Sequence, residues 1–515
     1  MSKKFYITTP IYYVNDKPHI GHAYTTLACD VMARFKRLDG FNVKFLTGTD
    51  EHGQKVEKAA QVAEISPQEF TNTVSQNFRD LTTQLNFSND DFIRTTEDRH
   101  KLACQQLWHI LLDKGFIRLD SYSGWYAVRD EAFYTKDEIV DGKAPTGAPV
   151  EWVEEPSYFF DLSKFQDKLL AFYDANPDFV APKSRFNEVK SFVKGGLRDL
   201  SVSRASFKWG VPVPDDDAHV MYVWLDALTN YITATGWPTD GAFGNPETYA
   251  KLWPADLHMV GKDILRFHAV YWPAFLMAAD LPLPKRVFAH GWWTNEGQKI
   301  SKSLGNVIDP VALADTYGLD QTRYFLMREV PFGKDGDFSV QAMIQRMNSD
   351  LANDLGNLSQ RVISMIFKNC EGVMPSLPAS PTSEDTNILA ASDALLDQVR
   401  IHIDQQSFHE ALRCIWDVIA AANRYVDNQA PWGLKKTDPE RMKEVLAVLA
   451  EIIRQVAILT QPFMPQSAAK ILDQLGVDEH ARGFDIIAGQ GRLANGHLIE
   501  KPEPVFPRYI DEEPA

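Results

Sequence analysis

Lys4-Phe5-Tyr6-Ile7-Thr8-Thr9 leads through a Pro- and Asn-rich loop, Pro10–Pro18, to His19-Ile20-Gly21-His22, and from there to Asn42-Val43-Lys44-Phe45-Leu46-Thr47. The first block has the short apolar run of a buried strand. Apolar residues then recur at helical spacing from about Ile20 to Leu38, until Asp39-Gly40 ends the pattern. Asn42–Thr47 reads as a second strand, running into Gly48-Thr49-Asp50-Glu51-His52-Gly53. Strand, loop, helix and strand in that order form a βαβ unit. This predicts a parallel sheet with ligands at the carboxyl ends of its strands.

The same pattern resumes far downstream. Leu257–Val260 reads as a strand, Gly261-Lys262-Asp263 as a turn, Ile264–Ala279 as a helix and Arg286–His290 as another strand. The polar turn Asn295-Glu296-Gly297 and the loop Gln298–Ser303 follow. Between the two stretches, helical periodicity dominates from Ser66 to Gly115. Trp125–Pro156, rich in Gly, Pro and aromatics, predicts a small inserted module. From about Gln341 nearly everything is helical apart from the loop Met374–Ser383, and the stripe Val445–Leu459, with Glu451 and Arg454 in it, suits a core-facing bundle helix. The expected fold is therefore α/β, a Rossmann-type parallel sheet split by a small insertion and followed by an α-helical bundle. The halves of the sheet domain fall at 1–115 and 211–290, the insertion at 116–210, a lysine-loop region at 291–345, the bundle at 346–480 and a tail at 481–515.

Composition narrows the class of function. The 515 residues carry 53 Lys+Arg against 69 Asp+Glu, a net charge of −16, which argues against coating nucleic acid through bulk positive charge but leaves room for a local basic groove. The start, MSKKFYITTP, lacks the apolar core of a secretory signal, and the longest apolar run, Ala269–Ala279, is far short of the roughly 20 residues a membrane span needs. Cys29, Cys104, Cys370 and Cys414 are scattered, so neither a disulfide framework nor a Cys-x-x-Cys knuckle is present, and a cytoplasmic setting is expected.

Two motifs carry chemistry. His19-Ile20-Gly21-His22 stands where a loop enters a helix. Backbone N–H groups there attract phosphate, Gly21 permits close approach, and two imidazoles can donate to a phosphate gaining charge. A metal-binding or merely capping histidine pair is the alternative. Lys299-Ile300-Ser301-Lys302-Ser303 offers two lysines three apart on a loop, able to clamp a polyphosphate; alone, such a run is as readily a solvated turn.

Together these motifs resemble the class I aminoacyl-tRNA synthetases, as HIGH and a KMSKS-like KISKS, and most closely the methionyl-tRNA synthetase family. Similar to that family as well are Pro10-Ile11-Tyr12-Tyr13, the Gly48–Gly53 stretch, Tyr222-Val223-Trp224-Leu225-Asp226-Ala227, Gly261-Lys262-Asp263-Ile264 with Arg266-Phe267-His268, and Gln429-Ala430-Pro431-Trp432. The resemblance covers essentially the whole chain.

It implies ATP with Mg²⁺ and L-methionine as substrates, methionyl-adenylate as intermediate, and tRNA(Met) with a CAU anticodon as acceptor. It also implies roles. His19, His22, Lys299 and Lys302 would be catalytic. Gly21, Gly261, Asp263, His290, Trp293, Ile300, Ser301 and Lys302 would bind ATP. Ile11, Tyr13, Asp50, Trp224, Ala227, Leu228, Tyr231, Ile264 and His268 would form the methionine site, an apolar and aromatic lining that suits a flexible thioether, with Asp50 on the ammonium. Asn357, Arg361 and Trp432, the last expected on a loop, would read the anticodon. In the absence of the family, Trp224 and Tyr231, seven apart on one helical face, would read as core.

One departure stands out. Many relatives carry Cys-x-x-Cys zinc knuckles in the insertion. Here the matching positions hold Ala127 and Asp130, and no cysteine lies between Cys104 and Cys370. No structural zinc is expected, and aromatics such as Trp125, Tyr126, Phe133, Tyr134 and Trp152 are expected to hold the module together. The basic stretch Lys183–Lys208 (Lys183, Arg185, Lys190, Lys194, Arg198, Arg204 and Lys208 against Glu188 and Asp199) is expected to meet the tRNA acceptor end or to be a solvated helix face. Synthetases for leucine, isoleucine, valine or cysteine are the nearest alternatives, and a non-catalytic tRNA-binding descendant the more distant one. The insertion of about 100 residues is too short for the aliphatic editing domain. The cysteines for a zinc-thiolate selection site are missing, and the intact motifs argue against lost catalysis. The chain ends without a further dimer-forming domain, so a monomer is expected.

Overall fold

A computed structural model describes residues 3–14, 17–127, 132–134, 136–300, 305–488 and 491–510. The chain forms two compact units: Lys4–Pro18 with Val43–His290, and Met1–Lys3 and His19–Asn42 with Gly291–Ala515.

The first unit is built on a sheet of order Tyr12–Tyr13, Asn42–Asp50, Lys4–Thr8, Leu257–Gly261, Val287–His290 and Val180–Ala181, with Asp91–Arg94 also paired to Asn42–Asp50. Lys4–Thr8 runs parallel to Leu257–Gly261, placing Ile7 opposite Leu257 and Thr8 opposite His258, so the two sequence halves are joined at the centre of one sheet. Helices cover the sheet, and Tyr6, Leu46, Trp108, Val260, Trp272 and Val287 share its core. Near-continuous apolar strands are what a sheet buried on both faces requires. The strand Asp91–Arg94 lies inside the stretch that reads as helical. Its partner Gly48 makes the pairing possible, because a Cβ there would overlap the Ile93 carbonyl. The expected helix Ile264–Ala279 is broken into a 3₁₀ turn Lys262–Ile264, a π turn Phe267–Tyr271 and an α-helix Trp272–Ala278.

The insertion is a four-stranded antiparallel sheet in the order Ala132–Tyr134, Ile117–Ala127, Glu151–Phe160 and Leu200–Ser201. Trp125 pairs with Trp152 across two strands, their rings edge-to-face at 5.4 Å. Tyr126 is buried, Tyr134 packs against the small cluster Ala127, Ala144 and Ala148, and Trp152 is exposed. Asp130 and the Phe133 side chain lie outside the described residues.

In the second unit the helix Ile20–Leu38 is fixed by a buried ion pair. Asp30, fully buried, accepts from Arg323 Nη2 at 2.6 Å and Arg34 Nε at 2.8 Å, while Arg323 also donates to the carbonyls of Pro462 and Phe463 at 2.9 Å each. Removing one partner of such a pair costs about 3–5 kcal/mol, because the other charge is left in the core. Within the helix Pro439–Thr460, Glu451 and Arg454 form a second buried pair at 2.8 Å. The tail packs back on this unit: Leu498 bridges Val373, Tyr509 and Asn348 exchange hydrogen bonds, and Phe506 is 5% exposed. Among the described residues no helix is long and apolar enough to cross a membrane.

Candidate active site

His19 is the N-cap of the helix Ile20–Leu38, with extended backbone. Its Nδ1 accepts the Gly21 N–H at 3.1 Å, and His22 Nδ1 accepts the His19 N–H at 3.1 Å. With Nδ1 of each ring committed as acceptor, each neutral imidazole carries its proton on Nε2. Burial, and secondarily the neighbouring His19, push the His22 pKa well below its ordinary value, so this ring is a neutral N–H donor at physiological pH. The two rings lie 3.9 Å apart. Capping and phosphate recognition are thus compatible readings, since the cap uses Nδ1 of each ring and not Nε2. The Ile20 N–H donates to the Ile308 carbonyl at 3.1 Å, tying the helix start to the segment that follows KISKS.

Lys299 lies on a strand, not a loop: Trp293–Asn295 and Gln298–Lys299 form a hairpin around Glu296-Gly297, and Lys299 is exposed. Asn306 Nδ2 donates to the Lys299 carbonyl at 3.2 Å and Asn295 Nδ2 to the Asn306 carbonyl at 2.9 Å, closing the base of the excursion that carries Ile300. Ser301 and Lys302 lie outside the described residues. Trp293 is 6% exposed, edge-on to Tyr24 at 5.5 Å and beside Phe325 at 6.0 Å, so its indole forms part of this unit's core.

In the first unit, Gly261, Asp263 and His290 meet at the carboxyl ends of two adjacent strands. Gly261 is in register with His290, and a Cβ on Gly261 would lie 2.5 Å from Asp263 Oδ1 and 4.0 Å from His290 Cε1. Glycine is required there to leave the carboxylate its place.

Several of the residues expected at the methionine site come together as well. Ile11, Trp224 and Ile264 are partly buried against the core that holds Leu228 and Tyr231, and Ala227 is 6% exposed. The Tyr231 hydroxyl lies 2.6 Å from His268 Nε2, and His268 Nδ1 lies 2.9 Å from the Ile264 carbonyl. Because a carbonyl only accepts, Nδ1 bears the proton and Nε2 receives the Tyr231 O–H. Burial pushes His268 down to about 4, against the opposing pull of the Ile264 carbonyl and Asp263. Asp50, 6% exposed, ends the strand Asn42–Asp50 directly opposite Tyr13. Tyr13 belongs to a separate small cluster with Tyr12 and Phe78. Two neighbours were not foreseen: Phe267 stacks on Trp224 with ring centroids 3.4 Å apart, and His258, wholly buried and bonded to Thr8 Oγ1 at 2.8 Å, lies 4.2 Å from the Tyr231 ring. A π turn at Phe267–Tyr271 leaves no regular period from which sequence could place Phe267.

In the helical region Asn357 and Arg361 lie on the helix Asn357–Asn369, where Asn357 is exposed. The Arg361 guanidinium lies 5.2 Å from the Trp432 ring and pairs with Asp427 at 3.0 Å. Trp432, 48% exposed, is not on a loop: it lies in the first turn of a helix, Pro431–Thr437, entered from a left-handed Ala430. Proline at the first helical position is the signal that favours this start. The basic stretch is exposed only in part. Arg204 is 3% exposed, its guanidinium 3.6 Å from the Tyr222 ring, Lys190 pairs with Asp174 and Arg185 with Glu188, while Lys183, Lys194 and Arg198 are exposed.

Comparison with known proteins agrees with this geometry. A family described as tRNA synthetases class I (M) matches residues 5–149 and 146–363, and one described as the anticodon binding domain of methionyl tRNA ligase matches 377–515. A methionine–tRNA ligase of Rickettsia felis is 58% identical over 512 residues, 99% of both chains, and one of Rhizobium meliloti is 57% identical over 514 residues, again 99% of each. The Mycobacterium tuberculosis methionyl-tRNA synthetase, solved in complex with methionyl-adenylate, superposes with a TM-score of 0.94 at 52% identity, covering 98% of this chain and 100% of its own. With helix-capping HIGH histidines, a Rossmann-type sheet and these relatives along its full length, the chain belongs to the methionyl-tRNA synthetase family of class I.

Proposed function

We propose that the chain is a methionine–tRNA ligase acting in the cytoplasm as a monomer. A methionine carboxylate oxygen attacks the α-phosphorus of ATP, pyrophosphate leaves, and a hydroxyl of the terminal tRNA ribose then displaces AMP from the methionyl carbonyl. No covalent enzyme intermediate is needed, so catalysis is alignment plus stabilisation of growing charge. The orientation of the two imidazoles carries the reading: His19 and His22 present Nε2–H to the crowded α-phosphate. Lys299 and Lys302 hold the outer phosphates, with Mg²⁺ entering on the triphosphate as part of the substrate. Ile300 and Ser301 bind ATP with them, and Gly21, Gly261, Asp263 and His290 receive the adenosine, Asp263 as acceptor for ribose hydroxyls. Trp293 binds ATP with them, its indole held in place by Tyr24 and Phe325.

Asp50 pairs with the substrate ammonium. Ile11, Tyr13, Trp224, Ala227, Leu228, Tyr231, Ile264 and His268 enclose the thioether, with His268 neutral. Asn357, Arg361 and Trp432 read CAU by edge hydrogen bonds and stacking. The insertion folds without zinc on its tryptophan pair and apolar cluster. Pyrophosphate–ATP exchange measured across the twenty amino acids tests the reading. Exchange driven by methionine and at most weakly by the others is expected; a preference for leucine, isoleucine, valine or cysteine, or no exchange at all, overturns it.

A further inference from the structure

The pocket helix Val223–Thr233 carries one buried charge that the proposed chemistry does not use. Asp226, 1% exposed, places Oδ2 2.6 Å from His52 Nδ1 and Oδ1 2.8 Å from His100 Nε2. Burial pushes this carboxyl up, but the charge of His52 and the N–H groups of His100 and His52 outweigh it and hold the group well below the usual carboxylate range. An ionised carboxylate only accepts, so both facing nitrogens carry protons. His52 follows Asp50 by two residues, and its ring is held edge-on against Trp209 at 5.5 Å. His100 lies on the helix Asp98–Asp113, 126 residues from Asp226, and Cys104 one turn later donates to the Asp226 carbonyl at 3.6 Å. One carboxylate thus ties together the end of the Asp50 strand, the pocket helix and a core helix. Apolar packing alone lets a helix slide by fractions of an ångström; a fully satisfied buried network of charged hydrogen bonds fixes one register.

We propose that His52, Asp226 and His100 are positioning residues for amino-acid recognition: they lock the pocket helix to the strand end that bears Asp50, and so set the spacing between the ammonium partner and the lining from Trp224 to Tyr231. The inference rests on the methionine-site reading given above. His100, Cys104 and Asp226 are also, among the described residues, close enough to share a metal ion, their donor atoms all within 4.8 Å of one another. Burial pushes the Cys104 thiol up and the carboxylate is already occupied by two N–H donors, which marks a protonated brace rather than a set of ligands.

The test compares His52→Ala and His100→Ala with His52→Asn and His100→Gln, which keep an N–H near Nδ1 and Nε2 respectively. In methionine-dependent exchange the alanine variants are expected to raise the methionine KM at least tenfold with the ATP KM within twofold, and the conservative variants to recover to within threefold of the parent. Equal rises in both KM values with no conservative rescue, or a parental methionine KM throughout, overturns the proposal. So does stoichiometric zinc in the purified parent that is lost in Cys104→Ser. Should the alanine variants not fold, Asp226→Asn is assayed for methionine binding by tryptophan fluorescence: a tenfold weaker Kd supports the brace and an unchanged Kd overturns it. Leu228→Ala, run alongside, separates the two ideas. If it binds methionine as the parent does, the pocket reading fails; if it loses methionine while Asp226→Asn keeps it, only the brace fails.

Discussion

Gly21 shows how one residue supports another. A Cβ there would lie 2.9 Å from His19 Cε1 and 3.1 Å from Nδ1, so the curled imidazole of the N-cap needs a glycine beneath it. Gly21→Ala is therefore expected to displace the His19 ring and lower kcat for exchange by roughly 10²-fold, the scale of losing one preorganised donor, with the methionine KM little changed. A rise in methionine KM with intact kcat would contradict it. His268 makes a prediction about pH. Its folded pKa, about 4, lies below the ordinary 6.5, so the unfolded chain takes up the proton first as pH falls. The stability linked to the neutral ring is present above pH 6.5 and is lost as pH falls from there towards 4. His268→Gln removes this loss, so its melting temperature should fall less between pH 7 and pH 5 than that of the parent; a parallel fall in both would refute the linkage.

At the scale of elements, the strands and the first helix were legible because their periods are local. Lys4–Thr8, Ile20–Leu38 and Leu257–Gly261 match their apolar runs to within a residue. The strand Asp91–Arg94 was not, because Phe92 and Ile93 are its only apolar residues, and a two-residue run between charged ends carries no period. The Asp226 network was not legible either: its partners are 174 and 126 residues distant, and nothing near each histidine announces the other. The family resemblance supplied the residues proposed for the methionine site, while Phe267 and His258 beside them came only from packing. At Trp432, the helix beginning at Pro431 holds the indole beside Arg361. Trp432→Ala is expected to raise the KM for tRNA severely while leaving methionine-dependent exchange nearly intact, and equal loss of both activities would refute an anticodon role.

For the whole molecule, the net charge of −16 leaves tRNA to be held by few cations. The insertion's basic stretch spends Arg204 on Tyr222, Lys190 on Asp174 and Arg185 on Glu188, with Lys183, Lys194, Arg198 and Lys208 remaining exposed. The affinity for tRNA should therefore fall with salt at a log–log slope of only about −3, corresponding to a few phosphates. A slope near −8 in a filter-binding titration would show a far broader basic contact.

The buried pair between Asp30 and Arg323 joins residues 293 positions apart. On the ribosome, at about 5–20 residues per second, the first helix, with Arg34 already beside Asp30, therefore emerges roughly 15–60 s before Arg323, the buried partner of that carboxylate, has been synthesised. Through that interval the nascent chain exposes an apolar, half-finished surface. A chain that ends before Arg323 lacks one of the two cations that hold Asp30 in the core.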